Sequence, residues 1–223
     1  MPIWQLSYCP MANSRQQAVE AALRLFRAQG YAGTGLAQIW EESGSPKGSF
    51  YFNFPGGKHE LALEALKLFG ERLSHRIHEA AALHGEDPVS FVRFICARQA
   101  RDLETSGWTQ SCLAQQLANE LAPGDEEMTT AIAAVTQTWI NSMAVVMQHA
   151  AASREEATTL ATAFLAALNG ARSMSRTVLS KVPFESVAEM MTQMLTAASA
   201  HRRPRPAARR SPRNGRRRKL AAQ

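Results

Sequence analysis

The chain is short of everything that builds a disulfide frame. Its 223 residues hold three cysteines, Cys9, Cys96 and Cys112. The odd number, wide separation and lack of CxxC spacing exclude a zinc ribbon and fit a reducing cytoplasm. No run approaches the ~18 uncharged apolar residues of a membrane helix, so no membrane partner is expected. Residues 1–11 lack a basic start followed by an apolar stretch of signal length, which argues against export and leaves Met1 and Met11 both as candidate starts. His75 and His78 lie three apart with no third ligand in view, so they read as a solvated pair and no metal site is expected. The Phe54-Pro-Gly-Gly-Lys58 run lacks the first glycine of a phosphate loop and the hydroxyl residue after its lysine. No Gly-x-Ser-x-Gly element or paired-carboxylate constellation stands out, so neither an enzyme nor a cofactor is expected.

Acidic residues are missing from one place in particular. Residues 201–223 hold ten Arg/Lys, three prolines and no acid. The other 200 residues keep 15 basic and 19 acidic side chains, a net of −4. The pI of about 9.6 therefore belongs to the tail and not to the body. Such a segment cannot bury a core and is expected to be disordered. It either adds salt-sensitive, sequence-independent DNA affinity or is a variable extension.

What is present is helical periodicity, with no convincing strand pattern. Hydrophobic residues make up 45% of the chain, enough for a buried core. A first helix is expected over 14–28, with Ser14 and Gln17 as a capping box and Ala18, Ala21, Ala22, Leu25 and Phe26 as its apolar stripe. Short helices are expected over 36–42 and 46–53, the second opened by Ser45 and Pro46. Further helices are expected over 58–83, 89–104, 111–121, 126–151, 153–180 (capped by Ser153 and Glu156) and 183–200. The reading is all-α, about nine helices. Its domains are 13–60, 61–200 and a disordered Arg-rich tail over 201–223, with the first boundary inside the long helix that begins at Lys58, an element both domains share.

Two short helices joined by Ser43-Gly44-Ser45, with a third in front, describe a helix-turn-helix. Gly44 falls where the turn needs a left-handed backbone, and Ile39 and Phe50 fall where the two helices pack. The second helix has the dimensions to enter a major groove.

These residues also resemble a known family. Thr34-Gly-Leu-Ala-Gln-Ile39, Ser43-Gly-Ser-Pro-Lys-Gly-Ser-Phe-Tyr-Phe-Asn-Phe54 and Pro55-Gly-Gly-Lys-His-Glu-Leu61 look like the TetR-family signature, over about residues 14–66. Pro46-Lys-Gly-Ser49, Phe54-Pro-Gly-Gly-Lys58 and Ser111-Cys-Leu-Ala-Gln-Gln-Leu-Ala-Asn-Glu-Leu-Ala122 are most similar to the LmrA/YxaF-like subgroup. Two positions depart from the pattern: Asn53 stands where His is usual, and Trp40 where most such units put Ala. The resemblance implies a transcriptional regulator that binds double-stranded operator DNA as a homodimer, a repressor released by a small-molecule effector of unknown identity. By the same resemblance, Thr34, Tyr51, Asn53 and Lys58 would contact phosphates. Ser45, Lys47, Gly48 and Ser49 would face base edges, and Phe52 a thymine methyl or sugar. From residue 13 to 60 five basic residues meet four acidic ones, so placement, not bulk charge, must carry specificity.

The larger domain is implied to bind ligand and to dimerise. Candidate ligand-binding residues are Phe94, Trp108, Cys112, Gln116, Trp139, Met143, Met147 and Asn169, a set that suits a flat, mostly apolar molecule. Ordinary core packing is an equal alternative for each, and Cys112 is either a sensor thiol or a buried small hydrophobe. The candidate dimer interface is the stripe Leu160, Phe164, Leu168, Phe184, Val187 and Met191 on the last two helices.

Overall fold

The computed structural model describes residues 10–44 and 47–201. Among them are nine α-helices and no strand: α1 (Pro10–Gln29), α2 (Leu36–Ser43), α3 (Lys47–Asn53), α4 (Gly57–His84), α5 (Pro88–Thr105), α6 (Leu113–Leu121), α7 (Glu126–Met147), α8 (Arg154–Val178) and α9 (Val182–His201). The all-α expectation and the helix number hold. The 202–223 tail lies outside the described residues.

Three helix starts carry side-chain caps. Asp87 accepts from the amides of Val89 and Ser90 to open α5, Asp125 accepts from Met128 to open α7, and Ser153 accepts from Glu156 at 3.1 Å to open α8. Glu156 reaches back to the amide of Ala152, so the reciprocal pair read from sequence forms one residue off the ideal register. The capping box at Ser14 does not form. α1 starts at Pro10, a residue suited to a first helical turn, which leaves Ser14 inside the helix. There its hydroxyl accepts from Asn53 Nδ2 at 3.3 Å.

The small unit closes around a few large apolar side chains. Phe26, Ile39, Phe54 and Leu61 are fully buried between α1, α2 and the start of α4. Each such residue contributes roughly 1.5–3 kcal/mol of transfer free energy. α4, 28 residues long and so about 42 Å, runs from this unit into the larger bundle. It packs on α1 at one end and on α5 and α7 beyond. The shared helix makes the two halves one mechanical body.

α7 is long and apolar enough to cross a membrane by length and composition, which a search for uncharged apolar runs passed over. Its face carrying Met128, Ile132, Trp139, Met143 and Met147 is buried against α4, α6 and α8. It serves as a core helix of the bundle.

The expected dimer stripe is corrected. Leu160, Phe164, Leu168, Phe184 and Met191 are buried within the single chain, and Val187 packs on the same core. Those positions turn toward α5 and α7, so the strongest apolar periodicity marks the subunit's own core. The outward residues are others: Met174, Val178, Leu179, Val182, Met190 and Met194 are all at least 40% exposed. A run of exposed apolar side chains on adjoining helices is the signature of a surface that a partner covers.

Candidate nucleic-acid interface and internal cavity

α2 ends at Gly44, whose φ of 65° and ψ of 12° are left-handed, as the turn requires. α3 follows after two residues and is pinned from behind. Arg15 of α1 donates to the carbonyl of Asn53, stacks 4.6 Å above the Phe54 ring, and pairs with Glu64 at 3.2 Å. With its rear face held this way, α3 turns Gly48, Tyr51 (50% exposed) and Phe52 (73% exposed) to solvent. Tyr51 leans edge-on against Trp40 at 5.7 Å. The bulky Trp40 thus supports the recognition helix from α2, where the family pattern has a small residue. Ser45 and the side chains of Lys47, Ser49 and Phe50 lie outside the described residues.

Three expected phosphate contacts look different in three dimensions. Thr34 is 1% exposed, and its hydroxyl donates to the Gly30 carbonyl at 2.6 Å. The expectation of a phosphate contact there is corrected: the hydroxyl locks the α1–α2 turn. Asn53 directs its amide to Ser14 on α1. Lys58 lies 4.3 Å over the Tyr31 ring. Burial there lowers its pKa, with Glu120 opposing the shift. Of the unit's other cations, Arg24 pairs with Glu42 at 3.0 Å, and Arg27 points into the body.

The small unit is fastened to the bundle through α6. Glu120 accepts from the amides of Tyr31 and Ala32 at 2.9 and 2.6 Å, and from Gln116. Burial alone would raise the Glu120 carboxyl, but those three hydrogen bonds and Lys58 hold it below the usual range. At the other end of α6, the amide and hydroxyl of Ser111 both donate to the Arg27 carbonyl, and Arg27 Nε donates to the Ser111 carbonyl at 2.8 Å. His59 adds a 2.7 Å contact with Asp125 at the start of α7. Any shift of α6 must therefore move the end of α1 and the turn that leads to α2.

Between α1, α4, α5, α7 and α8 is a cavity of about 130 Å³. Of the eight candidate ligand-binding residues, Cys112, Trp139, Met143 and Asn169 line it. The other four candidates do not. Phe94 stacks with His84 at 4.9 Å, Trp108 offers its carbonyl to Arg176, Gln116 serves Glu120, and Met147 is fully buried elsewhere in the core. Helical periodicity marked them as inward-facing, but several inward directions in a nine-helix bundle miss the cavity. Sequence reading overlooked its arginines altogether: Arg27, Arg72, Arg76, Arg98 and Arg172. The i, i+4 pairs Arg72/Arg76 on α4 and Arg172/Arg176 on α8 were the available signals. His75 and His78 contact Glu79 and Ser142 respectively.

Comparison with known proteins agrees with this architecture. Residues 18–72 match the bacterial regulatory proteins of the tetR family, and residues 88–190 match the LmrA/YxaF-like transcriptional regulator C-terminal domain. The HTH-type transcriptional regulator YxaF of Bacillus subtilis is 33% identical over 80% of this chain and 93% of its own length. LmrA of the same organism is 54% identical over 65 residues, which cover 29% of this chain and 35% of LmrA. Among solved structures, a regulatory protein TetR from Rhodobacter sphaeroides superposes with a TM-score of 0.74 at 21% identity, covering 81% of this chain and 97% of that one. Reduced NemR of E. coli superposes at 0.69 and 19% identity, covering 81% and 97%. With a helix-turn-helix at one end, a helical bundle of the matching type at the other and a full-length relative above 30% identity, this chain belongs to the TetR family of transcriptional regulators.

Proposed function

We propose that this regulator is a repressor that occupies a palindromic operator as a cytoplasmic homodimer and leaves it when a small molecule binds the larger domain. Residues 13–60 read DNA and residues 61–200 bind effector and dimerise. The observation that carries the DNA half of this reading is the exposure of Gly48, Tyr51 and Phe52 on a helix whose rear face is pinned by Arg15. Large aromatic side chains left in water on a rigid seven-residue helix are best explained by a surface that meets them in the complex. Lys47, Gly48 and Ser49, with Ser45, face base edges from the leading turn. Tyr51, Asn53 and Lys58 approach the backbone, and Phe52 meets a thymine methyl or a sugar.

Two copies joined through the outward faces of α8 and α9 would hold their recognition helices about one DNA turn apart, ~34 Å. Effector control follows from the bonds between α6 and the small unit. A ligand that prefers one position of α1 and α6 shifts the population of dimer spacings, by no more than its differential affinity for them.

The test is fluorescence anisotropy with the intergenic DNA upstream of its own gene against scrambled DNA, at ~150 mM salt. A preference of ~1,000-fold or more, lost in the Lys47→Ala/Tyr51→Phe variant, is the expected result. Equal binding to both DNAs refutes operator recognition.

A further inference from the structure

The internal cavity is cationic in a way that packing alone does not explain. Of its five arginines, three have carboxylate partners: Arg72 with Glu20, Arg76 with Asp102 at 3.2 Å and Arg98 with Glu79 at 3.9 Å. Arg27 and Arg172 have none within 4 Å among the described residues. They are instead held by neutral oxygens and by ring faces, Arg27 at 5.2 Å over Phe69 and Arg172 at 5.9 Å over Phe184. Arg27 Nε donates to the carbonyl of Ser111, and Arg172 donates to the carbonyl of Gln110 at 3.2 Å and to Gln99 Oε1. Successive carbonyls of one loop thus aim two guanidiniums, from α1 and from α8, at the same cavity. The Arg27 Nη groups keep their donors, since only Nε is engaged. Burial, with the nearby charge of Arg172, pushes Arg27 down to about 10, and burial lowers Arg172 as well. Both remain protonated at neutral pH. Asp102 on the same wall favours both charges from beyond 4 Å and is itself paired with Arg76. A buried charge without a close counter-ion is disfavoured, and two facing one cavity more so. The arrangement is therefore built to be completed by an anion from outside.

Apart from Asp102, which is paired with Arg76, and Gln99, which serves Arg172, the rest of the wall is largely apolar. Phe69, Trp139, Met143 and Leu168 offer rings and aliphatic surface, and Asn169 adds one amide. At about 130 Å³, the space is close to that of an engineered cavity of about 150 Å³ that takes benzene. The geometry points to a small organic carboxylate as the effector, its charge bridged by Arg27 and Arg172 and a body of about benzene size against Phe69 and Trp139. This rests on the effector-controlled reading above and names its ligand class. A carboxylate matches the planar fork of a guanidinium, and two forks from different helices give it two such partners. Arg27 lies two residues before the end of α1, so occupancy acts directly on the helix that α6 ties to the reading head.

The test uses the full-length protein without DNA. Benzoate, salicylate, cinnamate and hexanoate are each titrated against the corresponding primary amide, with inorganic phosphate as a purely ionic probe. Trp fluorescence and calorimetry report binding. At least one carboxylate is expected to bind ten-fold or more tightly than its amide and than phosphate. That preference is expected to collapse to near unity in Arg27→Met and Arg172→Met and to persist in Arg101→Met, whose side chain is exposed on α5. If Arg172→Met fails to fold, the wild-type carboxylate-to-amide ratio still decides the matter. Amides or phosphate binding as well as every carboxylate, or no carboxylate binding at millimolar concentration, overturns the proposal. A carboxylate that binds as expected yet leaves operator affinity unchanged keeps the site and refutes effector control instead.

Discussion

Gly30 is the position where one methyl group tests the joint between the two halves of the molecule. Its φ is +86°, and a Cβ built there would lie 2.6 Å from Glu120 Oε1 and 2.9 Å from Gln116 Nε2. Gly30→Ala therefore meets two separate costs. The left-handed backbone costs an L-residue about 1–2 kcal/mol. The Glu120 carboxylate must also withdraw from the amides of Tyr31 and Ala32. Charge-assisted bonds of that kind are worth ~1.5–3 kcal/mol each when buried, but Glu120 is largely solvated, so about 1 kcal/mol for the pair is the fair discount. The sum is roughly 2–3 kcal/mol, or about 4–12 °C in Tm for a chain of this size. Gly44 supplies the internal standard, because its φ is +65° with open space around it. Gly44→Ala meets the backbone cost alone, about 1–2 kcal/mol on the same basis. Urea unfolding at fixed protein concentration, with unchanged m-values, is the assay. In a Glu120→Ala background the carboxylate is gone and Gln116 is free to swing aside, so Gly30→Ala then costs about as much as Gly44→Ala. A coupling energy below ~0.5 kcal/mol in this cycle would refute the claim that Glu120 holds the α1–α2 turn.

Three further outcomes follow from particular contacts. Because the folded-state pKa of Glu120 is depressed below its ordinary 4.5, its contribution is present above that value and lost as pH falls through the lower folded value. Wild type should thus exceed Glu120→Gln in Tm at pH 7 and converge with it only as pH falls below that lowered folded value, as read by thermal melts in matched salt. Val178→Glu/Val182→Glu, on the exposed face of α8 and α9, should give a folded monomer by light scattering. Leu168→Ala, in the subunit core, should instead cost about 2–5 kcal/mol and leave the association state unchanged. Burial pushes the Cys96 thiol up to about 12, so it should resist a disulfide reagent in the native protein at pH 8 and react once urea unfolds the chain. Rapid native labelling at Cys96, mapped by mass spectrometry, would contradict its placement.

The elements of this protein follow from local chemistry and were legible in the residue order. Gly44 marked the left-handed turn because no other residue adopts that backbone so freely. Ser153 marked a helix start because its side chain reaches an amide three residues away. The signature from Thr34 to Leu61 was enough to recognise the family. Which way each face turned depended on how the helices packed. Phe164, Leu168 and Met191 form as regular a stripe as any interface, yet they face α5 and α7, while the less regular Val178, Leu179 and Val182 face water. Periodicity says that a helix has an inside, not whether that inside belongs to one chain or two. Thr34 carried a hydroxyl at the expected place, but its burial against Gly30 depends on how the turn closes over α1. The cavity was the least legible part. Its defining residues come from α1 and α8, 145 positions apart, and an arginine in a sequence gives no sign of whether a carboxylate waits beside it. Charge compensation is a property of distances across the fold, and those exist only once the helices have packed.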